Sequence, residues 1–450
     1  MSGSVPARVT RRWVWAQSWP VLLAGTLGPT VGLVDTVVVG NFAGTLALAG
    51  IGLGAAIYGI VYWGFGFLRM STAGLAAQSD GAGEERDVQA HILRAVPLGL
   101  GIGLAVFALQ AVLLPLVFAV YTAGEGIEAE AATYLRARLW GLPATLGGIA
   151  LTGWFIGLGQ SRRALWLQLV LNAVNAGLSV LFVAGLGWGV WGVGIASAVA
   201  EWAGFAAGLA LAHAHIAARG GWRETSFGRL LDRAALRSLT GTNANIFIRT
   251  AALVAGLNFF ANAAANEGAV FLAGNHILMQ FVTLVALVLD SFAHTAESAV
   301  GAAKGSGDRA RFDRASRLTA EFSAVGGVAL GAVLLLAGPL VIDVMTAEEA
   351  VRASAEAFLP FCALVPVLGA AAWWLDGVFI GATRTAAMRN SSLASLGIYL
   401  LAHYTLEPRF GPEGLWAAFL LYYVARGLTL GLAFPALRDD VKETPRSVPV

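Results

Sequence analysis

Long apolar runs dominate the chain, and they restrict its fold more than any other feature. A helix needs about 20 apolar residues to cross the hydrocarbon core of a bilayer. Segments of about that length recur twelve times along the 450 residues. They run approximately over 13–40, 46–78, 92–120, 131–158, 164–186, 190–216, 238–263, 268–300, 316–341, 355–382, 388–406 and 414–437.

These runs predict helices that span a membrane. They are continuous and rich in Ala, Leu and Gly, without the alternation of a transmembrane β-strand. Only 12% of the residues are charged, against about 25% in a typical soluble protein. Lipid can cover such a surface, whereas water would leave it unstable.

The basic residues predict the orientation of the spans, because Lys and Arg near helix ends favour the cytoplasmic side. With the amino terminus inside, 22 of the 29 Lys and Arg residues fall in inward segments. Four fall in outward segments, among them Arg136 and Arg138, and Arg69, Arg249 and Arg426 fall within spans. We therefore expect a multi-pass protein of the inner (plasma) membrane with both termini in the cytoplasm.

The two halves of the chain repeat each other at a constant offset of 224 residues. Leu48–Gly50 matches Leu272–Gly274, and Phe155–Gly157 matches Phe379–Gly381. An even number of spans separates the copies, so both halves have the same orientation. The sequence thus predicts an all-α polytopic membrane protein with twelve transmembrane helices in two parallel six-helix repeats.

This pattern divides the chain into five parts. They are a cytoplasmic amino-terminal tail at 1–12, an amino-terminal six-helix lobe at 13–216, a cytoplasmic linker at 217–237, a carboxy-terminal six-helix lobe at 238–437 and a cytoplasmic tail at 438–450.

Several stretches resemble the multidrug and toxic compound extrusion (MATE) family, and in particular its DinF-like branch. The resemblance is carried by VDTVVVGNFAGTLALAGIGLG at 34–54, FGFLRMSTAGLAAQSDGAG at 65–83, LDSFAHTAESAVGAAKGSGDR at 289–309 and LDGVFIGATRTAAMRNS at 375–391. It implies a two-lobed antiporter of twelve helices that expels organic compounds in exchange for protons or sodium ions.

The first span contains one acid, Asp35, and an ionisable residue at membrane depth indicates a functional site. Pro20 interrupts the same helix and allows it to bend, because proline removes a backbone hydrogen bond. The resemblance implies that an acid at this place binds the coupling cation and that a proline at position 20 permits bending. A buried aspartate hydrogen-bonded by neighbouring amides is the structural alternative.

The fifth span supplies Asn172, Asn175 and Ser179, which are three and four residues apart and share one helix face. The family usually has an aspartate where this chain has Ser179. Because hard cations require several oxygen ligands, its absence favours protons over sodium. We predict a cation-binding site of Asp35, Asn172, Asn175 and Ser179, although the asparagines alone also suit ordinary hydrogen bonding between helices.

Four further charges define a candidate polar site in the second half: Arg249, Asp290, Glu297 and Asp376. Asp290 and Glu297 are seven residues apart on one helix face, and an ion pair between Arg249 and Asp290 is feasible. The sequence leaves open whether these acids bind ions or form structural ion pairs.

Two other classes of function compete with transport. An enzyme is disfavoured because the chain has no HExxH, P-loop or convincing catalytic triad, and no cofactor or metal site is expected. A flippase for lipid-linked oligosaccharides or lipids is the closer alternative, but it needs a cavity lined by basic residues.

The sequence therefore predicts a secondary active efflux transporter that works by alternating access. Its partners are a small organic, cationic substrate, a proton or sodium ion and membrane lipid, with no nucleic acid, and we expect a monomer.

Overall fold

The computed structural model describes residues 5–121, 123–223 and 232–441. Parts of three predicted segments lie outside this range: 1–4 of the amino-terminal tail, 224–231 of the linker and 442–450 of the carboxy-terminal tail. The described residues are helical almost throughout and contain no β-strand. The prediction of an all-α chain is confirmed.

Nine α-helices come from the described residues of the first half. They are α1 Arg11–Phe42, α2 Thr45–Gly64, α3 Phe67–Gly81, α4 Glu85–Ala108, α5 Gln110–Phe118, α6 Glu125–Arg138, α7 Leu142–Gly157, α8 Ser161–Ser179 and α9 Gly189–Ala218. A 3-10 turn at Leu139–Gly141 joins α6 to α7, and a π-helical segment at Val180–Gly185 follows α8.

Six α-helices come from the described residues of the second half. They are α10 Arg233–Asn266, α11 Ala269–Gly305, α12 Arg309–Met345, α13 Glu349–Gly381, α14 Thr385–Phe410 and α15 Pro412–Asp439.

Eleven segments in the described part of the chain are long and apolar enough to cross a membrane. The predicted span at 388–406 is not among them. Its helix, α14, has the required length at 26 residues but carries Arg389, Glu407 and Arg409. It packs along α15, so the helix predicted at 388–406 is present.

Large apolar side chains cover the outside of these helices. Leu336, Val344 and Leu432 are each at least 80% exposed. Exposed apolar surface on this scale would be unstable in water and is stable against acyl chains. The exposed surface therefore agrees with the assignment of a membrane protein.

Several helices begin before the apolar segment that predicted them. The segment starting at 92 lies in a helix that begins at Glu85, and the segment starting at 316 lies in one that begins at Arg309. Polar residues form the extra turns, and the Asp308 side chain caps one of them by accepting a 2.8 Å bond from the Arg311 amide. The apolar pattern marks the part of a helix within hydrocarbon, and the helix itself is longer.

The chain forms two compact units. Within the described residues, unit 1 consists of 19–79, 84–121, 123–223 and 232–237, and unit 2 of 5–18, 80–83 and 238–441. The amino-terminal segment joins unit 2 because Arg314 Nε donates to the Val9 carbonyl over 2.6 Å. Division by apolar runs alone had grouped residues 13–18 with the first half.

Each unit has its own apolar core. In unit 1, Trp154 and Phe155 are fully buried among side chains of α4, α7, α8 and α9. In unit 2, Phe260, Trp416 and Phe419 form a buried aromatic group, with the rings of Phe260 and Phe419 stacked at 4.2 Å. These cores hold the helices that carry the buried charges described below.

Glycines at helix crossings repeat between the two units. A Cβ on Gly157 would collide with the carbonyl oxygen of Ala73, and a Cβ on Gly381 would collide with that of Glu297. The 224-residue offset relates both the glycines and the carbonyls that they face. The internal repeat in the sequence thus corresponds to a repeated close contact between helices, in which small residues allow backbones to approach.

We expect Gly157→Ala and Gly381→Ala to destabilise the protein by about 1–3 kcal/mol each, because the added methyl group overpacks a backbone contact. Gly148→Ala is a matched control on α7, since a Cβ at Gly148 meets nothing within 4 Å. That variant should be neutral or stabilising by up to about 1 kcal/mol from helix propensity. Thermal unfolding in detergent measures all three, and equal midpoints would show that the crossings tolerate side chains.

Candidate functional site

The buried carboxylate of unit 1 lies on α1. Asp35 is the only acid of that helix and is 3% exposed. Burying an ionised carboxylate without partners is costly, so its hydrogen bonds define the site. All the contacts described for it are within unit 1.

Ser179 is the direct partner of this carboxylate. Its Oγ donates to Asp35 Oδ1 over 2.7 Å, and the residue is fully buried. Ser179 is the last residue of α8, directly before the π-helical segment Val180–Gly185. π-helical turns are rare and concentrate at functional sites, because they widen the backbone locally.

The two asparagines of α8 make different contacts. Asn175 Nδ2 donates to Ser197 Oγ over 2.9 Å, and its buried Oδ1 has no hydrogen-bond partner among the described residues. Asn172 Nδ2 donates to the Leu27 carbonyl over 2.6 Å. Leu27 is eight residues, about 12 Å of helix, from Asp35. Asn175 thus belongs to the immediate surroundings of the carboxylate, whereas Asn172 ties α8 to the backbone of α1.

Pro20 lies buried within α1, about four turns before Asp35. The helix runs continuously through it. Because proline has no N–H, the Ala16 carbonyl cannot receive the usual helical bond from position 20. This is a preformed weak point of the kind at which helices kink.

A second buried group in unit 1 was not predicted as a site. Arg138 Nη2 donates to Glu201 Oε1 over 2.9 Å, and Thr145 and Tyr58 also donate to the Glu201 carboxylate. The Arg138 guanidinium lies 4.3 Å from the centre of the Tyr58 ring, a cation–π distance. Arg138 also acts electrostatically on Asp35, so the two buried acids share one cation.

The prediction that Arg138 belongs to an outward connection is therefore wrong. It is the last residue of α6, within the apolar segment Gly126–Gly157. Its side chain is 14% exposed, because it turns inward to Glu201. A lone acid in the sixth span was the signal that could have revealed the pair, since a buried Glu201 requires a nearby cation.

In unit 2, the central acid is Asp376 on α13. Arg249 on α10 and Arg426 on α15 both donate to its Oδ2 atom, the latter over 2.7 Å. Asp376, Arg249 and Arg426 are each less than 8% exposed. The partner found for Arg249 is thus Asp376, where the sequence had suggested Asp290.

The other two predicted acids of this half both lie on α11. Glu297 is 1% exposed, and its Oε1 is 3.9 Å from His294 Nε2. Asp290 is half-buried and has interactions of its own. The four predicted residues therefore share one unit, and the hydrogen bonds above join Arg249 to Asp376 directly.

A cavity of about 820 Å³ also lies in unit 2, away from these acids. It opens between the beginning of α12 and the end of α15, and Trp374 and Phe434 form its apolar wall. Arg438 on its rim is held by Asp313 through two bonds of 2.7 Å. None of Arg249, Asp290, Glu297 and Asp376 lines it.

The geometry of unit 1 suits reversible protonation. One carboxylate is removed from water, accepts a hydroxyl hydrogen bond and lies on a helix with a built-in weak point. A carboxylate in such surroundings can exchange a proton when its hydration changes. The site offers a hard metal cation one carboxylate and a few neutral oxygens, among them the buried Asn175 Oδ1, which has no hydrogen-bond partner among the described residues.

Comparison with known proteins gives a consistent result. The family model described as MatE matches residues 20–181 and 248–405. The DNA damage-inducible protein F of Escherichia coli (strain K12) is 30% identical over 420 residues, which cover 93% of this chain and 90% of that protein.

More distant similarities extend over comparable lengths. A probable multidrug resistance protein NorM of Xanthomonas campestris is 27% identical, with 92% of each chain covered. The crystal structure of the Vibrio cholerae MATE transporter VcmN in the bent form aligns with a TM-score of 0.84 at 19% identity, covering 96% of this chain and 97% of that one.

Proposed function

Because this chain belongs to the multidrug and toxic compound extrusion family, we propose that it is a secondary active efflux transporter that exchanges protons for organic cations. The observation that carries the proposal is the buried Asp35, whose carboxylate accepts a hydrogen bond from the Ser179 hydroxyl. The name of the relative from Xanthomonas campestris supports multidrug efflux as the class of transport.

The proposed cycle follows from the chemistry of that carboxylate. When Asp35 is ionised, its surroundings hold two buried carboxylates, Asp35 and Glu201, and the cation Arg138, which pairs with Glu201. An excess of negative charge in a low-dielectric interior favours binding of a proton or an organic cation. Competition between the two for the same charge would couple their movements, as alternating access requires.

The same charges argue against the flippase alternative for unit 1. A pyrophosphate headgroup requires arginines or lysines that are free to bind it. Arg138 is already engaged by Glu201 over 2.9 Å. We therefore propose transport of small organic compounds, with no enzymatic step.

We further propose that the protein lies in the inner membrane with both termini and the 217–237 linker in the cytoplasm, on the basis of the basic residues. A cysteine at Trp222 in the linker should react with a membrane-impermeant maleimide only after permeabilisation. A cysteine at Glu348, in an outward connection, should react in intact spheroplasts. The native Cys362 is fully buried and gives little background. Reaction of the Trp222→Cys variant from outside would contradict the orientation.

Efflux should be driven by a pH gradient and be nearly indifferent to sodium, because a proton needs only one carboxylate whereas sodium needs several oxygens. Ser179→Asp would add a second anionic ligand beside Asp35 and should introduce sodium dependence. Ser179→Asn is the matched control, since it changes size similarly but adds no charge. Transport of a dye into inverted vesicles, which corresponds to efflux from the cell, measures the effect, with each gradient imposed separately. Strict sodium dependence of the unmodified protein would refute proton coupling.

A further inference from the structure

Two buried guanidinium groups share one carboxylate oxygen in unit 2. Arg249 on α10 and Arg426 on α15 both donate to Asp376 Oδ2 on α13. Each guanidinium has five N–H donors and can bind a carboxylate through two of them. A single oxygen therefore uses only a small part of the available donors.

Two buried donors in and beside the triad of Arg249, Arg426 and Asp376 have no acceptor in the part of the chain that the structure describes. Arg249 Nε and the Tyr422 hydroxyl are both buried and have no hydrogen-bond partner among the described residues. Tyr422 belongs to the same group, because Arg426 lies 5.9 Å from the centre of its ring. Tyr422 also lies against Gly256, two turns along α10 from Arg249. Buried donors normally find an acceptor, so their concentration at one place indicates a ligand that brings acceptor oxygens.

The apolar side of the cluster is aromatic. Trp373 stacks on Tyr423 with ring centres 4.9 Å apart and planes at 20°. The Arg426 guanidinium lies 5.5 Å from the centre of the same Tyr423 ring. A flat apolar surface beside the Arg426 guanidinium suits an aromatic molecule that carries an anionic group.

From this geometry we infer that Arg249, Arg426 and Tyr422 form a binding site for the carboxylate of an aromatic organic acid. Asp376 occupies the donors when no acid is bound and competes with the ligand for them. Unit 2 also contains the acid Asp290, so its net charge does not by itself indicate an anion site. The positions of the donor groups do. It deepens the proposed function, on which it rests, by adding organic acids or zwitterions to its substrates.

The test is calorimetric titration of 2-naphthoate into the full-length protein in a neutral detergent. We expect 2-naphthoate to bind at least roughly tenfold more tightly than the uncharged 2-naphthamide, since about one charge-assisted hydrogen bond is lost with the amide. Arg426→Gln should weaken naphthoate binding roughly tenfold for the same reason. Arg352→Gln is the matched control, because Arg352 also pairs with an aspartate, Asp343, but at the surface of unit 2.

Asp376→Asn gives the decisive measurement. If Asp376 competes with the ligand, this variant should bind naphthoate roughly tenfold more tightly, which an ion pair with a structural role alone does not predict. Unchanged or weaker binding, equal binding of naphthamide, or no binding of naphthoate would overturn the inference, even if Arg426→Gln fails to fold. The titration requires no gradient, so a failure of proton coupling, which only the transport assays detect, is recognised separately.

Discussion

Replacement of Asp35 by asparagine should abolish gradient-driven efflux while the protein stays folded. The amide oxygen can still accept the 2.7 Å bond that Ser179 donates to the carboxylate. The amide cannot take up and release a proton at working pH, so the exchange loses its driving force. Transport of a dye into inverted vesicles should fall to the level of vesicles without the protein.

The control for this variant is an acid elsewhere in the protein. Asp343→Asn removes a carboxylate that is 48% exposed and pairs with Arg352 at the surface, so transport should stay at the wild-type rate. Thermal unfolding of both variants separates a loss of coupling from a loss of fold. Wild-type transport by Asp35→Asn would remove this residue from the mechanism.

The sequence alone was sufficient to predict the helices and to single out Asp35. Long apolar runs are typical of helices in hydrocarbon, and Asp35 was conspicuous as the one acid of the first run. The repeat was also visible, because the glycines at close crossings leave little freedom to vary. Gly157 and Gly381 face corresponding carbonyls for that reason.

The sequence was insufficient for the partners of the buried charges. Helical periodicity places Asn172, Asn175 and Ser179 on one helix face. It does not give their positions along the axis of a neighbouring helix. In the structure Ser179 donates a 2.7 Å bond to Asp35, whereas Asn172 meets the backbone at Leu27. The relative sliding of α1 and α8 depends on packing, which periodicity does not encode.

Arg138 shows a second reason for failure. Near the end of an apolar segment, an arginine is counted as part of a connection, because the positive-inside rule treats helix ends as loops. Its long side chain can instead turn inward along the helix and leave the guanidinium buried. The pair with Glu201 joins residues 63 positions apart, so the lone acid indicates that a cation is needed but does not identify Arg138 as its partner.

Substitutions of Arg138 and Glu201 should have coupled effects on the free energy of unfolding. Their effects on transport should be separate. Arg138→Gln leaves the buried Glu201 carboxylate without a cation and should destabilise the protein by about 3–5 kcal/mol. In the double variant with Glu201→Gln, two amides replace the pair and much of this loss should be recovered. A coupling free energy of at least about 2 kcal/mol is expected from unfolding in detergent.

Transport should not recover in the same way, because the double variant still lacks the cation that acts on Asp35. Efflux driven by a pH gradient should therefore stay well below the wild-type rate although the fold is restored. Glu201→Gln alone provides the comparison, since it keeps the Arg138 charge next to Asp35. If the double variant transports at the wild-type rate, the pair serves the fold alone and Asp35 operates without it. If the two destabilisations simply add, the residues are not coupled, and the 2.9 Å contact between them contributes little to the buried network of unit 1.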